Sequence, residues 1–150
     1  MRMVVQRVSS GSVSVDGQLV GSIGRGLVLL VAVSPLDQEA DVDWMARKIV
    51  HLRIFNDEQG RFNRSLLDVD GQVLVVSQFT LYADTARGKR PSFTGAAPPE
   101  LARRLCDDLA DPFQRLGASH VARGRFGAHM QMKLHNDGPV TLWLDSIQRC

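Results

Sequence analysis

Two short segments, far apart in the chain, carry the residues best suited to chemistry on a bound ligand. Ser77-Gln78-Phe79-Thr80 follows an apolar run, and the second segment, residues 136–141, contains Gly138-Pro139. Each is a strand end interrupted by residues that change backbone behaviour. Strand ends on a rigid sheet can aim main-chain groups at a ligand, and N–H groups aimed at an oxyanion contribute about 3–4 kcal/mol to catalysis. We therefore expect one site that acts mainly through its backbone.

Other kinds of catalytic site lack their motifs in this sequence. The glycines form neither a GxxxxGK[ST] nor a GxGxxG element after a strand, and no GxSxG elbow is present. The cysteines have no metal-type or redox-type spacing and are expected to remain reduced thiols. The histidines form neither a HExxH motif nor a Cys/His cluster. We therefore expect no metal and no cofactor; the residues concerned are Cys106, Cys150, His51, His120, His129 and His135.

The composition is that of an ordinary globular protein. At 150 residues, with 44% hydrophobic and 23% charged residues, the chain predicts a single domain over residues 1–150. The longest apolar run, residues 27–33, is far below the roughly 20 residues that cross a bilayer, and the N-terminus lacks a signal-like apolar block. We expect a cytoplasmic protein without membrane contact.

Positive charge is concentrated locally. The net charge is only +2, but residues 87–90 read Arg-Gly-Lys-Arg and residues 123–125 read Arg-Gly-Arg. Such clusters beside glycines suit phosphate contacts from mobile loops, although a solvated surface loop has the same composition. Any contact with RNA is therefore expected to be local.

The elements that must position these residues follow from periodicity. We predict strands at 3–5, 13–15 and 19–23, with Asp16-Gly17 as a tight turn, and a strand buried on both faces at 27–33. A helix is expected from Asp37, as its cap, to residue 53. A strand at 73–76 ends at Ser77, and a loop covers 84–99. A second helix, from 99 to 116, should break near Ala110 because of Pro112. Two final strands, 127–134 and 140–144, flank the Gly-Pro.

The two segments, together with residues 90–93 and 123–128, resemble the D-aminoacyl-tRNA deacylase (D-tyrosyl-tRNA deacylase) family over nearly the whole chain. The resemblance implies an α/β fold with a strand-rich, barrel-like sheet and two main helices. It implies a homodimer that hydrolyses the ester of D-aminoacyl-tRNA and rejects L-aminoacyl-tRNA.

The resemblance also implies roles for individual residues. Ser77, Gln78, Phe79 and Thr80 line the hydrolytic pocket, and Gly138-Pro139, joined by a cis peptide bond, enters the active site of the other subunit. Arg7 orients this Gly-Pro. The residues implied to bind substrate and RNA are Phe126 and Met130, at the terminal adenosine, with Gly127 and Ala128.

Several of these residues have simpler interpretations. The hydroxyl of Ser77 could satisfy a backbone group at the strand end, and Phe79 could be a core aromatic as readily as a pocket wall. Thr80 could be a nucleophile in principle, but no base is identifiable beside it, so we assign it to positioning of the oxyanion or water. Arg7 could be a member of a surface ion pair.

The substrate chemistry fits a site without a catalytic triad. An aminoacyl-tRNA is an activated ester, and its vicinal ribose hydroxyl can assist the attacking water. An enzyme that removes many D-residues must read the α-carbon, which rigid backbone carbonyls at Gly138-Pro139 could do. Glycine has no side chain to reject, so we expect weak discrimination against glycyl-tRNA.

Two rival functions remain open. One is a relative with altered specificity that removes L-residues or edits a mischarged tRNA, although the triplet 77–79 argues against relaxed chirality. The other is a protein that binds tRNA or DNA ends without hydrolysis, which the arginine-glycine segments also permit.

Overall fold

The computed structural model describes residues 1–148, so Cys150 lies outside the described residues. Residues 1–148 form eight strands and three α-helices, with the helices on one face of the main sheet. The strands are β1 (Arg2–Val15), β2 (Gln18–Ile23), β3 (Gly26–Ala32), β4 (Phe55–Asn56), β5 (Phe62–Arg64), β6 (Gln72–Ser77), β7 (His120–Arg123) and β8 (Met130–Asp145). The helices are α1 (Glu39–Val50), α2 (Pro99–Asp108) and α3 (Ala110–Arg115).

The main sheet is built around the long strand β1. Its first half pairs with β3 and its second half with β2, while β8 runs antiparallel along nearly its whole length. β3, β6 and β7 are parallel neighbours, giving the order β2-β1-β3-β6-β7. β2 returns close to β7, where a Cβ on Gly21 would lie 2.7 Å from the carbonyl oxygen of Arg123. The sheet is therefore a nearly closed barrel, as expected.

Two apolar clusters lie on the two faces of this sheet. Val28, Leu74 and Val76 fill the barrel interior, together with residues of β1 and β2. Leu27 and Leu29, on the opposite face of β3, pack with the buried sides of α1, α2 and α3. β3 is thus buried on both faces, which confirms the interpretation of its uninterrupted apolar run.

The start of α1 differs from the prediction. Its N-cap is Gln38, whose N–H donates to Asp41 Oδ2 at 2.8 Å. Asp37 lies one residue too early and is buried, where its carboxylate binds the α-ammonium group of Met1 and accepts the N–H of Ser34 at 2.6 Å. Asp37 is therefore a tertiary contact and not the helix cap.

The other predicted elements have the right types but not always the right lengths. The Asp16-Gly17 turn has positive φ at both residues, and the second helix breaks at Leu109, as expected. Pro112 lies in the first turn of α3, where a missing N–H costs little. The two final strands form the single strand β8, and β4, β5 and β7 were not predicted. Arg123 ends β7 and is not in a loop.

Candidate functional site

The largest apolar cavity near the predicted site lies between the ends of β3 and β6 and helix α2. Its volume is about 420 Å³, and Ser77, Phe79, Phe126 and Gly127 all line it. Other walls come from the end of β3, from residues 93–97 and from the buried side of α2. The structure thus brings together four predicted site residues that are up to 50 positions apart in the sequence.

The segment Ser77–Thr80 turns sharply where β6 ends. Gln78 N–H still pairs with Val31 O at 2.7 Å, and the first hydrogen bond of the following 3₁₀ turn is from Leu81 N–H to Gln78 O at 3.1 Å. The N–H groups of Phe79 and Thr80 lie ahead of that bond and are not used in the turn. The side-chain amide of Gln78 donates to Thr80 Oγ1 at 2.5 Å, which holds the segment in one shape.

An aromatic pair forms one wall of the cavity. Phe79 is 57% exposed and is therefore not a core aromatic. Its ring meets that of Phe93 edge to face, with 5.1 Å between centroids, a favourable geometry for such pairs. Phe93 belongs to the sequence pattern 90–93, and its position in the cavity wall was not predicted. The alanines that complete the cavity, Ala96, Ala97 and Ala102, carry no chemical signal in a sequence.

The residues predicted to bind substrate and RNA in the segment 126–130 fall into two groups. Phe126 lines the cavity, and the guanidinium of Arg103 lies 5.1 Å from its ring centroid. Gly127 has φ +75°, so the backbone turns there. Met130 packs beside Gly124 and against the barrel cluster, and neither it nor Ala128 lines the cavity.

Gly138-Pro139 lies in an outward bulge of β8, residues 137–140, which we call the excursion. Asn136 pairs with Val8 and Thr141 with Gln6, so four residues of β8 lie opposite one residue of β1. The Gly138-Pro139 peptide bond is cis, as the resemblance implies, and both residues are exposed. In the orientation that satisfies its amide, Asn136 donates to Arg7 O at 2.9 Å and to Val140 O at 3.1 Å, closing the base of the excursion.

Arg7 is the residue opposite the excursion, and it is only 4% exposed. Its Nε donates to Asp137 O at 3.1 Å and is 3.2 Å from Asp137 Oδ2, while its Nη1 donates to Ile54 O at 2.6 Å. Asn56 and the ring of Phe62 enclose the same guanidinium from β4 and β5. Arg7 therefore ties the excursion to the body of the protein and is not merely a surface ion-pair member.

The ionisable groups near the cavity include one buried thiol. Burial, with a smaller contribution from the charge of Asp107, raises the pKa of Cys106 to about 12, so the thiol is neutral near pH 7. Within residues 1–148, no three His, Cys, Asp or Glu side chains converge as metal ligands would. The described helices include none long and apolar enough to cross a membrane.

Known proteins resemble this chain over its full length. A family model described as D-Tyr-tRNA(Tyr) deacylase matches residues 4–145. The chain is 59% identical to the D-aminoacyl-tRNA deacylase of Thermomicrobium roseum, covering 99% of this chain and 96% of that protein. It is 60% identical to the D-aminoacyl-tRNA deacylase of Roseiflexus castenholzii, covering 97% and 92%.

Two solved structures share the fold. The c-Myc DNA Unwinding Element Binding Protein superimposes with a TM-score of 0.90 at 38% identity, covering 97% of this chain and 98% of that one. A structure described as a "probable eukaryotic D-amino acid tRNA deacylase" gives 0.81 at 19% identity, covering 95% and 97%, and supports the fold alone. The full-length identity and the family match show that this chain belongs to the D-aminoacyl-tRNA deacylase family.

Proposed function

We propose that this protein hydrolyses the ester of D-aminoacyl-tRNA in the cytoplasm, releasing free D-amino acid and tRNA, and that it rejects L-aminoacyl-tRNA. Beyond family membership, the observation that carries the proposal is the position of the Phe79 and Thr80 N–H groups. Phe79 lines the cavity, Thr80 follows it directly without lining the cavity itself, and neither N–H group is used in the turn that follows. Donors placed in this way suit the oxyanion of an ester under attack by water.

The reaction then needs little from side chains. Water adds to the ester carbonyl, the N–H groups of Phe79 and Thr80 stabilise the oxyanion, and the C–O bond to the ribose breaks. The proton of the attacking water passes to the departing ribose oxygen, assisted by the vicinal hydroxyl. Ser77 and the Thr80 hydroxyl position the water or oxyanion, and Phe126 supports the terminal adenosine. In this scheme the reaction needs neither metal nor cofactor.

Chiral selection is assigned to Gly138-Pro139 of a partner subunit. The excursion is exposed, and within one chain neither residue lines the cavity. In a homodimer, each excursion would enter the cavity of the other subunit and offer carbonyl oxygens to the substrate ammonium group. This arrangement leaves no volume for an L side chain. Glycyl-tRNA, which has no side chain, is hydrolysed faster than L-alanyl-tRNA.

Mixing two inactive variants tests the shared site. Ala96→Trp fills the cavity, and Gly138→Ala disturbs the excursion. If the site is shared across a two-fold axis, a mixed dimer has one intact site, and an equal mixture refolded together recovers about a quarter of wild-type activity. The wild-type chain refolded in the same way is the control. Recovery of no activity, or full activity of a stable monomer, would contradict the cross-subunit arrangement.

The activity itself is tested with matched D-tyrosyl-tRNA and L-tyrosyl-tRNA after treatment with a chelator. We expect rapid loss of the D-ester alone. Loss of both esters would indicate relaxed chirality, and a rate that disappears with the chelator would contradict the metal-independent scheme.

A second function is favoured by one observation. The structural neighbour at 38% identity is described as a DNA-unwinding-element binding protein, and nucleic-acid binding without hydrolysis would use the same fold. Tight binding of a DNA duplex by a protein that hydrolyses neither ester would support this alternative.

A further inference from the structure

The exposed cations around the cavity lack carboxylate partners, whereas many arginines elsewhere have one. Several arginines remote from the cavity form ion pairs with carboxylates; examples are Arg61, Arg64 and Arg115. Around the cavity, by contrast, six cations form no ion pair with any of the described residues 1–148. These six, which we call the cationic rim, are Arg87, Lys89, Arg90, Arg103, Arg123 and Arg125, and all are exposed.

Two consecutive residues of α2 show the difference most clearly. Arg104 points away from the cavity, and its Nη1 lies 3.0 Å from Glu39 Oε1 on α1. Arg103 points to the cavity side, where its guanidinium covers the ring of Phe126. Local sequence and helix position are nearly the same for both, so the side of the helix decides which arginine has a carboxylate partner.

The loop that carries three of these cations, residues 87–90, is closed by backbone hydrogen bonds next to a cavity-lining residue. Asp84 N–H donates to Ser92 O at 2.7 Å, and Ser92 N–H donates to Asp84 O at 2.9 Å. This bridge closes the loop immediately before Phe93, which lines the cavity. The Asp84 carboxylate is engaged by the N–H of Ala86 at 2.9 Å. The two ends of the charged loop are therefore anchored beside the cavity wall.

The other side of the rim approaches the cavity from β7. Arg123 donates to the carbonyl oxygen of Asp107 at 3.2 Å and lines a small recess with Ser77 and Phe126. Arg125 directly precedes Phe126. Cations without carboxylates also occur elsewhere, but they are scattered or lie at the end of α1, where the helix dipole favours them. These are Arg25, Arg47, Lys48, Arg53 and Lys133.

We infer that the cationic rim binds the backbone phosphates of the RNA whose 3′ ester enters the cavity. Like charges kept close without carboxylates are stabilised by a polyanion, and guanidinium groups match phosphate geometry. This inference rests on the proposed function and adds to it: the cavity holds the ester, while the rim holds the strand that leads to it. Sequence-independent contacts of this kind suit an enzyme that accepts many tRNAs.

The test combines two substrates with matched variants. Arg87→Ala/Lys89→Ala/Arg90→Ala and Arg103→Ala alter the rim, and Arg104→Ala is the control on the same helix. Hydrolysis of D-tyrosyl-tRNA is measured from 50 to 200 mM salt, and hydrolysis of the D-tyrosyl ester of adenosine, which has no phosphate, is measured in parallel. Each lost phosphate contact should reduce the log–log salt slope of kcat/KM by about 0.7–0.9.

We expect the triple variant to lose roughly tenfold to a hundredfold in kcat/KM on the tRNA at low salt, mainly through KM. Its rate on the adenosine ester, and both rates of Arg104→Ala, should stay at wild-type values. An unchanged salt slope in both rim variants would overturn the inference, as would an equal loss on the adenosine ester. Stronger competition by a DNA duplex than by uncharged tRNA would overturn the assignment to RNA. Failure of the proposed function is a separate result, since the wild-type protein would then hydrolyse neither ester.

Discussion

The segment Ser77–Thr80 lies beside a cavity in its own chain, whereas Gly138-Pro139 stands on an exposed excursion of β8. The first has unused N–H donors and an aromatic wall, but its neighbours in the cavity are mostly apolar. The second is held by a buried arginine, yet within one chain it does not line that cavity. Each half has what the other lacks, which is the physical basis for proposing that two chains complete the site.

The largest expected effect comes from Gly138→Ala, which changes the excursion of β8 and leaves the cavity unaltered. A Cβ there would lie 2.8 Å from Val140 Cγ2 and 2.9 Å from Arg7 Nη2, at φ +123°. Because the excursion must shift, we expect kcat/KM for D-tyrosyl-tRNA to fall at least about a hundredfold. Gly24→Ala is the control, since its Cβ meets only Gln72 Oε1 at 3.7 Å. Wild-type rates in the first variant would remove the excursion from the mechanism.

Arg7→Lys weakens the contacts that hold the excursion but keeps the positive charge at position 7. An ammonium group cannot reach both Asp137 O and Ile54 O in the way that the guanidinium does. We expect the ratio of D to L hydrolysis to fall about tenfold, equivalent to about 1.4 kcal/mol. Arg2→Lys, on the same strand but paired with Asp145, should keep the wild-type ratio. An equal effect of both changes would point to general loss of stability.

Substitutions of two exposed phenylalanines distinguish the role of the cavity from the role of the excursion. Phe93→Ala removes the partner of Phe79 at the cavity, so we expect KM to rise about threefold to tenfold with the D/L ratio unchanged. Phe62→Ala uncovers the guanidinium of Arg7, so the D/L ratio should fall while KM changes less. Steady-state kinetics on both esters measures these effects. The reverse pattern would contradict the division of roles.

The smallest effect is expected at Cys106, in the wall of the cavity. Its pKa of about 12 keeps the thiol protonated at pH 9, whereas at least about half of this thiol would be thiolate in the unfolded chain. In the background Cys150→Ser, alkylation of the native protein at pH 9 should be at least about a hundredfold slower than in urea. Cys106→Ala should retain deacylation within about twofold. Rapid native alkylation that abolishes activity would make this thiol part of the chemistry.

Several features could be predicted because their causes are local. The Asp16-Gly17 turn, the apolar run of β3 and the break caused by Pro112 depend on residues only a few positions apart. The failures have longer-range causes. Asp37 resembles a helix cap in sequence, but the α-ammonium group of Met1 takes its carboxylate. β8 continues past a proline because β1 supplies a partner on both sides of the excursion.

The features of the candidate site likewise divide into those with local causes and those with long-range causes. The sequence by itself determined the family motifs, their positions at strand ends and the absence of standard catalytic motifs, because these depend on residue type and spacing. Only the tertiary structure decided that Arg7 is buried against Asp137, 130 residues away, and that alanines of α2 and its preceding loop complete the cavity. The physical reason is that burial and hydrogen-bond partners depend on which elements pack together. Residue type and local spacing do not specify those long-range contacts.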